Sequence, residues 1–404
     1  MNTLYLFTAS YPYNTAETFL EEEIVFLSKS FSKIVVIPLI GSGVPTRTIP
    51  ANCSAYEPII KSRMEQYIRG LICFRTIPVF ISDFWGKRVY TSFKKIKTWL
   101  IAYVLSSNLI KSHVIKSVFS TIDKSDLCYF YWGKGANVLS YFYKGKTLFV
   151  SRFHGEWDLW EESSGGYGPI RQHIADSLDG IFFISKKGKE YFQERYICDN
   201  CFYSPLGSFD YGECVITEKK TDVLHIVSCS TVYPLKRVNL LYRALRTVHD
   251  ITIDWTHIGG GQDFEALKQE VSTNDNKNLQ IHLLGEKKHD EVIGIYKSKR
   301  FDVFINLSTN EGVPVSIMEA ESFDIPIIAT NVGGTSEVVT SQTGILLSPN
   351  PSIDEIIEAI RTIINKKDNY CPRTFWNTNF NSSKNYKCFC ELLNRIKEEN
   401  GKKE

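Results

Sequence analysis

Val303 to Val339 reads VFINLSTNEGVPVSIMEAESFDIPIIATNVGGTSEVV. An apolar strand pattern from Val303 to Leu307 runs into the polar segment Ser308 to Val313, and a helical pattern opens at Pro314, a residue suited to the first helical position. A second strand pattern, Pro326 to Ala329, follows. Strand, helix, strand in this order is the crossover unit of a parallel sheet. A helix starting at Pro314 aims the free backbone N–H groups around Val315 and Ser316 at the strand ends, together with the positive end of its dipole. A diphosphate would be well received there. Glu311 lies just before the helix and Glu319 within it. Carboxylates beside a phosphate site must bind something else, and an ionised carboxylate accepts paired hydrogen bonds from the vicinal diol of a ribose or a hexose. The combination predicts a nucleotide-sugar ligand. Taken singly, Glu319 reads equally as a solvated helix residue, Glu311 as a helix-dipole carboxylate and Gly333-Gly334 as a plain turn.

Strand patterns alternate with helical ones along the rest of the chain: Thr3 to Phe7, Lys33 to Pro38, Leu127 to Tyr131, Thr147 to Phe153 and Gly180 to Ser185, then Val223 to Ser228, Asp254 to Ile258 and Ile281 to Leu284. This is the rhythm of α/β folds. At 404 residues and 43% hydrophobic content, the chain supports two cores of roughly 200 residues each. The polar run 207–221 reads as a linker between one Rossmann-like domain, residues 1–206, and a second, residues 222–370. Residues 371–404 read as a C-terminal helix whose aromatics Trp376, Phe380, Tyr386 and Phe389 pack back on the first domain.

A net charge of +2 gives no global pull toward nucleic acid. No segment reaches the ~20 apolar residues of a membrane-spanning helix, and Met1 to Leu6 reads as a strand and not a secretion signal, so cytoplasmic residence is expected. Ten cysteines form no evident disulfide framework, and Cys198-x-x-Cys201 has no second pair at zinc spacing. Lys61 to Lys116 is basic and aromatic, with Glu65 and Asp83 as its only acids. That stretch is either a solvated helical face or a surface for anionic lipid.

Ser308 to Glu337 resembles the S-x-x-E-G-x-P-x-x-x-x-E-A run, and the I-P-x-I-A-T-x-x-G-G-x-x-E run after it, of glycosyltransferase family 4. That family has the GT-B fold, two Rossmann-like domains facing a central cleft. Further matches are Ile226-Val227-Ser228, Pro234-Leu235-Lys236, His257-Ile258-Gly259 and Leu284-Gly285. The resemblance implies a retaining transfer of a hexose from a nucleotide-diphosphate sugar to a saccharide hydroxyl. Glu311 would hold hydroxyls of the donor sugar and Glu319 the ribose. The amides after Gly312, from Val313 past Pro314 to Val315 and Ser316, would bind the diphosphate, the loop at Gly285 would meet the base, and Glu337 would be a structural cap. Lys236 would neutralise the leaving diphosphate, as a fixed cation does where charge develops. Two positions depart from the family. Thr231 stands where many members carry an arginine, which leaves Arg237 to supply a second positive charge, and Asp324 stands where glycine is usual.

The first half resembles the branch of the family that builds bacterial surface polysaccharides. Tyr11-Pro12 with Glu17-Thr18-Phe19 resembles its Y-P-x-x-x-x-E-T-F opening, Trp132-Gly133-Lys134-Gly135-Ala136 a glycine turn, and Arg152-Phe153-His154-Gly155 its R-x-H-G step. By that resemblance Glu17, Thr18 and Phe19 contact the acceptor. His154, at a strand end where open sheets present ligand-binding residues, orients the transferred sugar and stabilises charge at its anomeric carbon. The acceptor is expected to be a saccharide, lipid-linked and met at the inner face of the membrane. No Asp-x-Asp pair of the metal-dependent transferases occurs, so no metal ion or cofactor is expected. A phosphate oxygen would take the acceptor proton, without a side-chain base. The alternatives are a sugar-nucleotide epimerase of the same fold, a non-catalytic sugar-binding protein and a nicotinamide oxidoreductase. The last requires a Gly-x-Gly-x-x-Gly turn that Phe7-Thr8-Ala9-Ser10 does not supply.

Overall fold

The computed structural model describes residues 3–14, 17–61, 73–155, 158–212, 214 and 222–401. Of the expected linker, residue 213 and residues 215–221 lie outside the described residues, as do residues 62–72 of the basic stretch. The chain forms two compact units, Met1–Ser204 together with Tyr386–Glu404, and Pro205–Asn385.

The first unit is a seven-stranded parallel sheet of β1 (Thr3–Thr8), β2 (Lys33–Pro38), β3 (Cys53–Ala55), β4 (Leu127–Phe130), β5 (Leu148–Phe153), β6 (Gly180–Phe183) and β7 (Cys201–Tyr203), in the order β3-β2-β1-β4-β5-β6-β7. The second is a six-stranded parallel sheet of β8 (Val223–Cys229), β9 (Thr252–Ile258), β10 (Leu279–Leu283), β11 (Val303–Asn306), β12 (Ile327–Thr330) and β13 (Gly344–Leu347), in the order β10-β9-β8-β11-β12-β13. Strand order reverses between β1 and β4, and again between β8 and β11. Such switch points are where open parallel sheets bind ligands, beyond the strands' C-terminal ends. Every strand expected from the sequence is present, with ends displaced by at most two residues. Three others, β3, β7 and β13, had no clear pattern: each is a short strand at or next to a sheet edge, and β3 and β13 are only partly buried.

Both faces of the first sheet are apolar, so its central strands read as continuous hydrophobic runs. Phe7, Phe130, Phe149, Phe153 and Phe183 fill one face. On the other, Leu6, Val36, Tyr129, Val150 and Phe182 pack against Leu20, Ile24 and Leu27 of helix Thr18–Ser30 and against Phe389 and Leu393 of helix Ser382–Gly401. The tail is thus two helices. Pro372–Asn379 stays with the second unit, where the Trp376 indole donates to Ser208 Oγ at 2.8 Å and Phe380 is buried, whereas Tyr386 and Phe389 belong to the first.

Where that last helix meets β5, the core holds a charge. Arg152 is wholly buried, donates to Glu23 Oε2 at 2.5 Å and to Ser204 Oγ at 2.8 Å, and lies 4.2 Å from the centre of the Phe389 ring. Glu23 Oε1 accepts from the Tyr129 hydroxyl at 2.9 Å. A buried pair of this kind is costly to break, because the surviving partner is left charged and unsolvated. Arg152→Met is expected to lower unfolding free energy by about 3–5 kcal/mol, and adding Glu23→Leu to recover much of the loss, both read by chemical denaturation.

Candidate functional site

In the second unit the loops after β8 and β11 meet at the switch point. Lys236, last residue of the short 3-10 turn Pro234–Lys236, places Nζ 2.6 Å from Glu311 Oε1. The same oxygen accepts from Ser308 Oγ at 2.5 Å and Asn306 Nδ2 at 3.2 Å, while Asn306 Oδ1 accepts from the amide and hydroxyl of Ser308. Glu311 is 5% exposed, and its Oε2 makes no protein hydrogen bond among the described residues. Backbone packing sets this geometry. Gly333 has φ +52°, and a Cβ there would stand 1.8 Å from the Glu311 carbonyl; one at Gly334 would stand 2.3 Å from that of Gly312. Only glycines let the turn after β12 close on the loop.

Helix Val315–Ser322 starts one residue later than expected, with Pro314 as its capping residue at φ −73° and ψ 108°. Its first backbone bonds are from Ile317 and Met318 to the Pro314 carbonyl, so the Val315 and Ser316 amides precede the helical ladder. Glu319, one turn in, is buried, and its Oε1 is bonded to His289 Nε2 at 2.8 Å. That is the only hydrogen bond its carboxylate makes among the described residues, and Oε2 is left without one. His289 opens helix His289–Ser298 after β10, behind the loop of Gly285, whose carbonyl accepts from the Gly259 amide at 2.9 Å. No spacing in the sequence links His289 to Glu319, so only the fold reveals the pair.

Arg237 departs from the expectation that it faces a phosphate. In a left-handed conformation, φ 50° and ψ 37°, it directs its guanidinium to the carbonyls of Leu307, Ser308 and Pro349 and to Asn350 Oδ1. Its donors tie the loops after β11 and β13 to the loop after β8. Thr231 is exposed beside the Gly259-Gly260-Gly261 turn, with its methyl 2.8 Å from where a Gly261 Cβ would be. Asp324 takes φ 60°, which accounts for the usual glycine, and its Oδ1 accepts from the Arg373 amide at 3.0 Å, in the first turn of helix Pro372–Asn379.

In the first unit Glu17 is already saturated. Its two oxygens accept from the amides of Ala9, Ser10 and Tyr11 at 2.7–2.8 Å, from Ser10 Oγ at 3.4 Å and from Trp132 Nε1 at 2.6 Å. It therefore organises the loop after β1 and offers a ligand no free carboxylate. Phe19 is 39% exposed; the Thr18 side chain lies outside the described residues. His154 follows β5, with its ring 4.7 Å from that of Tyr131 and 4.5 Å from that of Trp132. It is buried, with Nδ1 3.6 Å from Asp158 Oδ2, and among the described residues neither ring nitrogen makes a hydrogen bond. Asp158, which sequence reasoning missed although it stands four residues on, holds the loop in place by accepting from the amides of Gly133, His154 and Gly155.

The second unit's sheet, its switch-point carboxylates and its glycine turn now admit comparison. Residues 215–374 match the family of glycosyl transferases group 1. The matched segment contains Lys236, His289, Glu311 and Glu319. Among curated relatives, the O-antigen biosynthesis glycosyltransferase WbnH of Escherichia coli is 33% identical over 113 residues, 28% of this chain and 30% of that protein. The Escherichia coli UDP-Gal:alpha-D-GlcNAc-diphosphoundecaprenol alpha-1,3-galactosyltransferase is 32% identical over 111 residues, 27% of each. The aligned regions thus span about a third of the length of these relatives. Two solved structures resemble the whole chain: Anabaena Alr3699/HepE in complex with UDP, with TM-score 0.64, 14% identity and 98% and 100% of the two chains covered, and the lipopolysaccharide outer core galactosyltransferase WaaB, with TM-score 0.64, 16% identity and 97% and 99% covered. At these identities the likeness is one of fold: the two Rossmann-like units are those of the GT-B fold.

The helix that carries Glu319 also carries Glu321, which is fully buried and whose carboxylate oxygens make no hydrogen bond among the described residues. Burial pushes its carboxyl well above the usual 4.5, with only Thr343 acting the other way. The folded chain therefore keeps a proton that the unfolded chain releases above about pH 4.5, so the contribution of Glu321 to stability is fully present below that pH and is lost as pH rises toward the raised folded value. Melting curves at pH 5 and pH 8 should show a smaller drop in midpoint for Glu321→Gln than for the natural chain.

Proposed function

We propose that this chain is a retaining, metal-independent hexosyltransferase of family 4. It moves a hexose from a nucleotide-diphosphate sugar to a hydroxyl of a lipid-linked saccharide in bacterial O-antigen, capsule or exopolysaccharide synthesis. One observation carries this reading: Glu311 and Glu319 each have Oε1 fixed by protein donors and Oε2 left over, beside the start of a helix at a switch point. Two hydroxyl acceptors around an amide-rich anion site suit a ligand with one diol in its ribose and another in its hexose. The names of WbnH and of the diphosphoundecaprenol-linked galactosyltransferase support the polysaccharide setting and the lipid-linked acceptor, and HepE's complex with UDP supports a nucleotide donor.

In this mechanism Glu311 Oε2 accepts from a hydroxyl of the transferred sugar, and Lys236 Nζ, held by Glu311 in the free chain, neutralises the diphosphate as its bond to the anomeric carbon breaks. The acceptor oxygen bonds to that carbon on the face the diphosphate leaves, and its proton passes to a phosphate oxygen. By the family resemblance His154 orients the sugar through its imidazole. Glu17 acts one step back, holding the loop after β1, and Arg237 holds the donor loops in place of a phosphate. Lys236→Ala and Glu311→Ala are each expected to lower turnover at least tenfold with unchanged circular dichroism; near-normal turnover in both removes this site. Thermal-shift screening against UDP, GDP, ADP and CMP in EDTA should raise the midpoint for one diphosphate.

No helix among the described residues is long and apolar enough to cross a membrane, but helices Ile77–Gly86 and Phe93–Lys111 suit one that lies on it. Phe74, Trp85 and Phe93 are 84%, 64% and 80% exposed, and Phe93, Ile96 and Leu100 recur at helical spacing beside exposed Lys94 and Lys97. The one acid between residues 73 and 116, Asp83, is buried and bonded to the Tyr167 hydroxyl. Exposed aromatics among cations match an anionic bilayer. The chain should float with phosphatidylglycerol vesicles and not with phosphatidylcholine ones, and Trp85→Ser with Phe93→Ser, or Lys94→Glu with Lys97→Glu, should abolish flotation. Equal flotation on both vesicle types would overturn this surface.

A further inference from the structure

We infer that His289 is a positioning residue for the nucleoside ribose, acting through Glu319 and thereby setting how strongly the site prefers ribose over deoxyribose. The inference rests on the donor-site reading above. Glu319 lies in a poor setting for an isolated carboxylate: it is 9% exposed, and burial first and the charge of Glu319 second push the Cys229 thiol up to about 12. Among the described residues a single donor, His289 Nε2 at 2.8 Å, fixes its orientation. A carboxylate has no proton to give, so this nitrogen carries the hydrogen, and one oxygen of Glu319 is pinned while the other remains for a ligand.

The imidazole is itself placed by two elements. It stands on the first turn of helix His289–Ser298, and its ring meets the edge of Tyr211 at 5.8 Å. The loop leading into that helix is fastened to the β9 turn through Gly259 and Gly285. The ribose carboxylate is thus oriented from the loop after β10, not from its own helix alone. A ligand hydroxyl bonds best to a carboxylate that need not be reoriented, and without the imidazole a buried Glu319 must find its rotamer at the moment of binding.

Binding of UDP, GDP and ADP, each beside its 2′-deoxy counterpart, tests this by calorimetry on the full chain. His289→Ala should weaken binding of the preferred ribonucleotide about tenfold, the worth of one hydrogen bond to a charged group. The deoxynucleotide should lose less, so that the ribose preference shrinks at least threefold, roughly the fall expected when one acceptor loses its orientation. His289→Gln, whose amide can still donate, should restore most of it, and His289→Ala should add nothing in a Glu319→Gln background. Equal losses for ribo- and deoxynucleotides, or none, would overturn the inference while leaving the donor site standing. If the natural chain binds no nucleoside diphosphate, the donor-site reading fails and this inference with it.

Discussion

Both sheets are parallel with buried residues on both faces, and this constraint decides where polar chemistry can stand. Inside the layers a polar side chain must be fully satisfied or neutral; at the C-terminal strand ends it can be fixed on one side and open on the other. In the second unit, Lys236 and Glu311 meet in that border zone. What keeps them there is a guanidinium that never needs a ligand: Arg237 bonds to three carbonyls in two other loops. The loops behave as one piece because a single side chain spans them.

The first unit solves the opposite problem. Arg152 sits where no solvent reaches and is held by Glu23, Ser204 and the face of Phe389. It stands two residues before His154, so alternation puts both on the same face of the sheet, Arg152 within β5 and His154 just beyond its end. The R-x-H-G step therefore combines two unlike jobs, a core ion pair and a ring past the end of its strand that lies against Tyr131 and Trp132.

Much of this was legible because strand and helix periods leave strong marks. The central strands, the helix after Pro314 and the Glu311–Glu319 spacing all follow from local pattern. Edge strands such as β3 and β7 bury too little to carry a pattern. Side-chain direction was the other gap. Adjacent Lys236 and Arg237 look like two cations for one anion, yet a left-handed residue between turn and helix sends the second away. Glu17 looked like a ligand contact because nothing in its neighbours reveals that three amides of the preceding loop converge on it. His289 and Glu319 are joined only through tertiary packing, which a linear pattern does not encode.

The path of the last helix has a consequence for biosynthesis. The first unit's sheet is made from the first half of the chain, but the ring that covers Arg152 belongs to residue 389. During synthesis the ribosome makes the whole second unit in between. Until the tail emerges, Arg152 and Glu23 have a pair but no lid, so the first unit to be made is the last to be finished.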